Sequence, residues 1–228
     1  ELDKLCAEAK PLAAWAVMVD PQTGDVIAAA QRPTYNPNER ENLCSDAFRC
    51  RFSEDVYEPG SIMKPFVVAY ALDNGYVAPD TLIDCERKPW LYERRLLHDS
   101  HPVGIAPVSE VIKQSSNIGT AKIALMLGNR ALDKALRSFG FGSRTGIQLR
   151  PETAGIFRRV ERWDNLSVTR FCIGQGIGVS SLQMVRAYCM LANGGWPVNL
   201  RLVDRIERDG VETPVPYVRG ACVFQNEK

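Results

Sequence analysis

Apolar residues along the chain fall into runs whose rhythm changes several times, and each change marks an element. Residues 1 to 10 read as the end of a helix. In "WAVMVDPQTGDVIAAA" two apolar runs rich in β-forming residues flank a polar turn with Pro21 and Gly24, which predicts a strand hairpin. The stretch "QRPTYNPNERENLCSDAFRCRFSEDVYEPG" reads as a long polar loop, either solvated or a docking surface, and structureless stretches of this length are uncommon unless they serve a purpose. From Ser61 the apolar residues Ile62, Phe66, Ala69, Tyr70 and Leu72 recur at helical spacing as far as the stop Asn74-Gly75, predicting a buried helix over 61–74.

Residues 76–106 read as loop. "SEVIKQSSNIGTAKIALMLG" predicts a short helix, a polar break at Ser115-Ser116-Asn117, and a second helix ending at Gly128; a further helix follows over about 130–139. Beyond a Gly-rich connection and "TGIQLRPETAGIF", the segment "CIGQGIGVSSLQMVRAYCMLANGG" is a glycine-rich entry into a helix, with Ser180 and Gln183 at capping-box spacing. "RLVDRIERDG" predicts a strand and turn. Helices and strands in non-alternating order give an α+β class. The reading is one domain over 1–228, with 11–60 as a hairpin-and-loop part and 61–200 as a mainly helical part.

Composition narrows the function classes. The 228 residues can bury a full core, and 28 basic against 27 acidic side chains leave a formal charge of +1 with no basic stripe, which argues against nucleic acid as a partner. No apolar stretch approaches the roughly 18 to 20 residues that cross a bilayer, and residues 1–20 lack the pattern of a secretion signal. The seven cysteines, at 6, 44, 50, 85, 172, 189 and 222, are an odd number; Cys44 and Cys50 are close enough in the polar loop to bridge, whereas Cys172 and Cys189 lie in apolar segments as buried thiols would. His98, Asp99 and His101 with Cys85 upstream lack a second close ligand pair, so no metal or cofactor is expected. Trp15, Trp90, Trp163 and Trp196 read as packing residues.

Candidate chemistry begins at "EPGSIMKPF". A helix start leaves N–H groups unpaired and carries positive potential, so negative charge developing at Ser61 is stabilised there. Residues three apart share a helix face, which brings Lys64 within reach of the Ser61 hydroxyl; burial disfavours the ammonium form, and a neutral amine accepts the serine proton. Gly60 permits the sharp entry and Pro65 is tolerated in the first turn. The plain alternative is that Ser61 only caps a helix and Lys64 is a solvated surface residue. Ser115-Ser116-Asn117, at a break between helices, can project a hydroxyl and an amide into a cleft to relay a proton and hold a substrate amide, or it can simply cap the following helix.

"DVYEPGSIMKPF" followed by "VIKQSSNIGTAKIA" resembles the transpeptidase domain of class B penicillin-binding proteins, the monofunctional enzymes of division and elongation. "AVMVDPQTGDVIAAAQRPTYNPN" looks like that family's first hairpin, "TGIQLRPETAGIF" like its middle segment and "IGQGIGVSSLQMVRAYCMLANGG" like its late helix, so the likeness covers about residues 13–200 in order. It implies an α+β transpeptidase or serine β-lactamase-like fold, an antiparallel sheet with flanking helices plus an all-helical subdomain.

It further implies Ser61 as acylated nucleophile with its N–H as half of an oxyanion hole, Lys64 as general base, and Ser115 and Asn117 as the pair that shuttles a proton and orients the donor peptide. The implied substrates are peptidoglycan stem peptides ending in D-Ala-D-Ala, with β-lactams trapped at Ser61, no cofactor, and membrane-embedded glycosyltransferase and division or elongation proteins as partners. The implied location is the extracytoplasmic, periplasmic face of the inner membrane, held by an N-terminal anchor. The family's third motif, Lys-Thr-Gly or Lys-Ser-Gly, occurs nowhere here, and the expectation is a domain incomplete at its C-terminus. A serine β-lactamase or β-lactam sensor shares Ser-x-x-Lys, but no deacylating glutamate motif stands near Glu152; a non-catalytic scaffold is the other rival.

Overall fold

The computed structural model describes residues 1–38, 45–216 and 220–225. In chain order its helices and strands are α1 (Leu2–Ala9), β1 (Ala14–Val19), β2 (Val26–Arg32), α2 (Arg51–Glu54), α3 (Lys64–Asp73), β3 (Leu82–Asp84), β4 (Trp90–Tyr92), β5 (Arg95–Leu97), β6 (Ile105–Pro107), α4 (Val108–Lys113), α5 (Asn117–Ser138), α6 (Ser167–Phe171), α7 (Ser181–Ala192), β7 (Arg205–Arg208) and β8 (Val211–Pro214). They fall into two compact units. One comprises residues 1–56, 143–154 and 180–221, the other 57–142, 155–179 and 222–228. Segments 143–154 and 180–200, grouped by sequence with the helical part, therefore pack with the N-terminal hairpin.

In the first unit β1 and β2 pair antiparallel from Ala14↔Arg32 to Val19↔Val26, with a bulge at Met18/Val19, and Asp20 Oδ1 accepts the Gln22 and Thr23 N–H groups in the turn. The buried face of the hairpin meets α7: Val17, Val19 and Val26 pack on Ile147, Leu182 and Leu200, and Trp15 Nε1 donates to Ser181 Oγ at 2.7 Å. Ser180 and Gln183 form the predicted capping box, which pairs two N–H groups at the α7 start. The Gln183 amide also donates to the Ser143 and Ala154 carbonyls, and buried Glu152 accepts from Thr145 N–H, Thr145 Oγ1 and Gly146 N–H; these bonds pin the 143–154 segment.

The long polar loop is shorter than its sequence implies. Residues 45–48 make a 3₁₀ turn and α2 follows, with the Arg51 side chain buried and paired to Asp46 and Asp55. A buried guanidinium with carboxylate partners gives that segment a folded identity that composition hides. The Cys44–Cys50 pairing involves Cys44, which lies outside the described residues.

In the second unit α3 packs on α5, and α5 on α6. Phe66, Val67 and Ala71 of α3 are fully buried, and Phe66 meets the Phe139 and Phe141 rings at 5.0 and 5.3 Å, geometry that adds to simple burial. The predicted break appears at Gly128, whose φ of 71° and ψ of 178° interrupt α5 inside its span. Only a residue without Cβ adopts that backbone readily.

Residues 76–106 are not loop throughout: β3 pairs with β6 and β4 with β5, both antiparallel. Each strand is three residues long, too short for a period-two pattern to register. Lys122 of α5 binds Glu86 at 2.6 Å and lies over the Trp90 ring, tying this hairpin region to the helix that carries the polar break. Trp163 packs edge-on against Phe171, while Trp196 is 38% exposed.

Candidate active site

All four sequence-identified residues, Ser61, Lys64, Ser115 and Asn117, lie in the second unit. Ser61 belongs to a 3₁₀ turn, Gly60–Met63, and α3 proper starts at Lys64. The predicted helix therefore begins one turn late: Ser61 makes no side-chain cap, and its side chain is exposed.

The segment leading to Ser61 is held from one side. Tyr57 and Val179 exchange N–H···O bonds at 3.0 and 2.9 Å, Gly60 N–H donates to Gly174 O at 3.1 Å, and Gly176 N–H donates to the Glu58 carboxylate at 2.7 Å. Gly174 has φ +73°, and a Cβ there would stand 2.2 Å from Gly60 O and 2.4 Å from Gly60 N. The glycine-rich loop thus presses backbone against backbone directly behind the serine turn, which explains glycine at 174.

Lys64 is 2% exposed. Its Nζ donates to Ser115 O at 2.5 Å and Ser115 Oγ at 2.9 Å. Burial, the dominant influence, pushes the amine below the ordinary lysine value; the Asp99 carboxylate and Cys172 pull it part of the way back. The spacing predicts this amine within reach of the Ser61 hydroxyl; the hydrogen bonds it makes in the structure go to Ser115. A buried ammonium needs acceptors, and Ser115 offers two.

Ser115 itself is unusual. With φ 54° it occupies the left-handed region, at the position just past α4 where glycine is the ordinary choice. Ser115 N–H donates to Ile112 O and Ser116 N–H to Val111 O, the paired bonds of a Schellman turn. That turn ends α4 and directs the Ser115 carbonyl and hydroxyl at Lys64. Strain of this kind concentrates where a side chain must be aimed.

Ser116 is the N-cap of α5: its Oγ accepts Gly119 N–H at 2.8 Å and donates to Asp99 Oδ2 at 2.6 Å. Asp99 Oδ1 accepts the N–H groups of Asn117 and Ile118, the latter at 3.0 Å. Asn117 Nδ2 donates to His98 O at 2.7 Å, which leaves its amide oxygen for an N–H from outside the chain. From the sequence, His98 and Asp99 stand out only as weak candidates for a metal site, and neither histidine belongs to an obvious Ser-His-Asp arrangement. The Asp99 carboxylate is occupied in capping α5, and no grouping of metal-type side chains occurs among the described residues. An aspartate 18 residues before a helix start carries no local signal of this role.

This combination, a serine turn clamped by a glycine loop, a buried lysine one turn on, and a serine–asparagine turn bonded to that lysine, sits in an α+β frame. The chain belongs to the penicillin binding protein transpeptidase domain family, whose model matches residues 14–226. It has that family's fold.

Among relatives, it is 33% identical over 206 residues to the peptidoglycan D,D-transpeptidase FtsI of Escherichia coli K12, spanning 90% of this chain and 35% of that protein. It is 34% identical over 195 residues to the probable peptidoglycan D,D-transpeptidase PenA of Neisseria flavescens, spanning 86% of this chain and 48% of the relative. The chain thus spans a third to a half of the length of these relatives. Of solved structures, penicillin-binding protein 3 of Mycobacterium tuberculosis complexed with aztreonam superposes with a TM-score of 0.84 at 29% identity, covering 92% of this chain and 48% of that one. The transpeptidase domain of Burkholderia pseudomallei penicillin-binding protein 3 gives 0.80 at 28%, covering 94% and 60%.

Proposed function

We propose that this chain carries the acylation centre of a peptidoglycan D,D-transpeptidase, a cell-wall cross-linking enzyme. The observation that carries the reading is the buried Lys64 amine bonded at 2.9 Å to Ser115 Oγ. In the proposed reaction, neutral Lys64 takes the Ser61 proton, and Ser61 Oγ attacks the penultimate D-Ala carbonyl of a stem peptide. Negative charge on the carbonyl oxygen is met by N–H groups of the serine turn, Ser61 N–H among them. The proton passes from Lys64 through Ser115 Oγ to the leaving nitrogen; the C–N bond breaks, D-Ala departs and an ester remains on Ser61. An amine of a neighbouring stem then displaces Ser61, which recovers its proton. Asn117 orients the donor peptide through its amide oxygen.

β-Lactams acylate the same serine in this reading, which is supported by the likeness to a penicillin-binding protein solved in complex with the β-lactam aztreonam. The protein acts at the extracytoplasmic, periplasmic membrane face with division or elongation proteins and a membrane-embedded glycosyltransferase; among the described residues no helix is long and apolar enough to cross a membrane.

Intact-mass analysis of the full-length protein after penicillin treatment tests the proposal. One stable adduct per chain, absent in Ser61→Ala, is the expected result. Steady nitrocefin hydrolysis would point to a β-lactamase instead, and no adduct at all to a scaffold.

A further inference from the structure

The polar break at Ser115–Asn117 is held by a residue that the acylation scheme does not use. Of the first four N–H groups of α5, those of Asn117 and Ile118 go to Asp99 Oδ1, that of Gly119 to Ser116 Oγ and that of Thr120 to Ser116 O. The other Asp99 oxygen accepts a hydrogen bond from the Ser116 hydroxyl at 2.6 Å. The adjacent His98 carbonyl takes the Asn117 side-chain amide. Residues 98 and 99 thus bond to two consecutive residues of the tripeptide, and the remaining one, Ser115, is bonded to Lys64.

We propose that Asp99 is a positioning residue of the acylation centre: by binding Ser116 Oγ and the Asn117 and Ile118 N–H groups, it aims Ser115 at Lys64 and Asn117 at the substrate. This rests on the transpeptidase reading above. The carboxylate is suited to the task because it offers acceptor sites on both oxygens and carries the charge that a helix N-terminus favours. An amide at 99 keeps one acceptor oxygen for the helix N–H groups, but its NH₂ can only donate to Ser116 Oγ, so the Ser116 hydroxyl proton loses its acceptor and the helix start loses the negative charge.

A second consequence separates aiming from mere support. The groups acting on the Lys64 amine are Asp99 from the 98–99 segment and Cys172 from the end of α6. Burial pushes the Cys172 thiol up to about 12, so below that pH it is neutral and Asp99 is the anion that acts. Asp99 holds the Lys64 pKa up, so its neutralisation lowers that pKa. Acylation needs the neutral amine, and its rise with pH must therefore move to lower pH in Asp99→Asn.

The test measures the acylation rate of the full-length protein by a fluorescent penicillin from pH 6 to 10, for wild type, Asp99→Asn and Asp99→Glu. Asp99→Asn is expected to lose about 100-fold at the plateau, the scale of a misaimed group, with its rise displaced to lower pH. Asp99→Glu keeps the charge, so its rise returns toward the wild-type position while the plateau stays low.

A wild-type plateau and an unmoved rise in Asp99→Asn overturn the proposal. So does a low plateau with an unmoved rise, which a purely supporting role produces. Amide hydrogen exchange at Asn117, Ile118 and Gly119 is read in parallel. If wild type forms no adduct, the transpeptidase reading fails and exchange decides: unchanged protection in Asp99→Asn removes the positioning role as well, whereas loss of protection retains it. Should Asp99→Asn not fold, Ser116→Thr, which keeps a hydroxyl, and Ser116→Ala, which does not, are compared. Equal plateaus for these two overturn the proposal.

Discussion

Ser115 offers a test in which backbone and side chain separate. Its left-handed φ of 54° costs a residue with a Cβ about 1 kcal/mol or somewhat more, which glycine does not incur. Its hydroxyl accepts a bond from the buried Lys64 amine at 2.9 Å, of the charge-assisted kind worth about 1.5–3 kcal/mol. Ser115→Ala loses the bond and keeps the strain; Ser115→Gly loses the bond and the strain together. Both retain the carbonyl that Lys64 also uses.

Urea unfolding should therefore rank Ser115→Gly above Ser115→Ala by about 1 kcal/mol, which corresponds to roughly 2–4 °C in midpoint for a chain of this size. Acylation by a fluorescent penicillin should fall about equally in both, by about 100- to 10,000-fold, because the proposed proton route runs through the missing hydroxyl. If the alanine variant is as stable as the glycine variant, the account of the Schellman turn is wrong. If acylation tracks stability, so that glycine retains activity, the relay role of Ser115 is wrong even though the turn stands.

Three further outcomes follow from the same geometry. Gly174→Ala drives a methyl into the Gly60 backbone, which cannot swing aside, and should cost about 3 kcal/mol or more in thermal unfolding with loss of acylation at Ser61. Lys64→Met removes a buried amine whose folded pKa lies below the ordinary 10.5. The lysine's stability contribution is present above 10.5 and lost as pH falls through the folded value, so pH-dependent unfolding should show wild type gaining on Lys64→Met as pH rises toward 10.5. In α7, Gln183→Met strips partners from the Ser180 N–H and from the Ser143 and Ala154 carbonyls; it should cost roughly 3 kcal/mol by urea titration, against about 1 kcal/mol for Ser180→Ala.

Much of this architecture is legible where a local rule governs it. The β1–β2 hairpin follows from two apolar runs around a turn, the α7 start from a serine–glutamine spacing, and the break at Gly128 from a residue that alone tolerates the required φ. What stays hidden is set by partners distant in sequence. Strands of three residues in 76–106 exist because β3 finds β6 and β4 finds β5, not because their own pattern demands it. Arg51 reads as one more polar loop residue until Asp46 and Asp55 close around it.

The candidate site divides along the same line. Ser61 and Lys64 are visible as a spacing, yet spacing does not reveal that the Lys64 amine bonds to the Ser115 carbonyl and hydroxyl. Side-chain spacing on a helix says which residues share a face, while burial decides what a charged group on that face must bind. Once Lys64 is enclosed, its protons require acceptors, and the Ser115 carbonyl and hydroxyl meet that need only because the chain accepts a left-handed residue at the end of α4. That conformation is in turn stabilised by Schellman bonds on one side and by the Asp99-capped start of α5 on the other. The serine that would react is left exposed in its own short turn, and the groups that would move its proton are fixed before any substrate arrives. In the proposed mechanism little reorganisation then remains to be done at the moment of acylation.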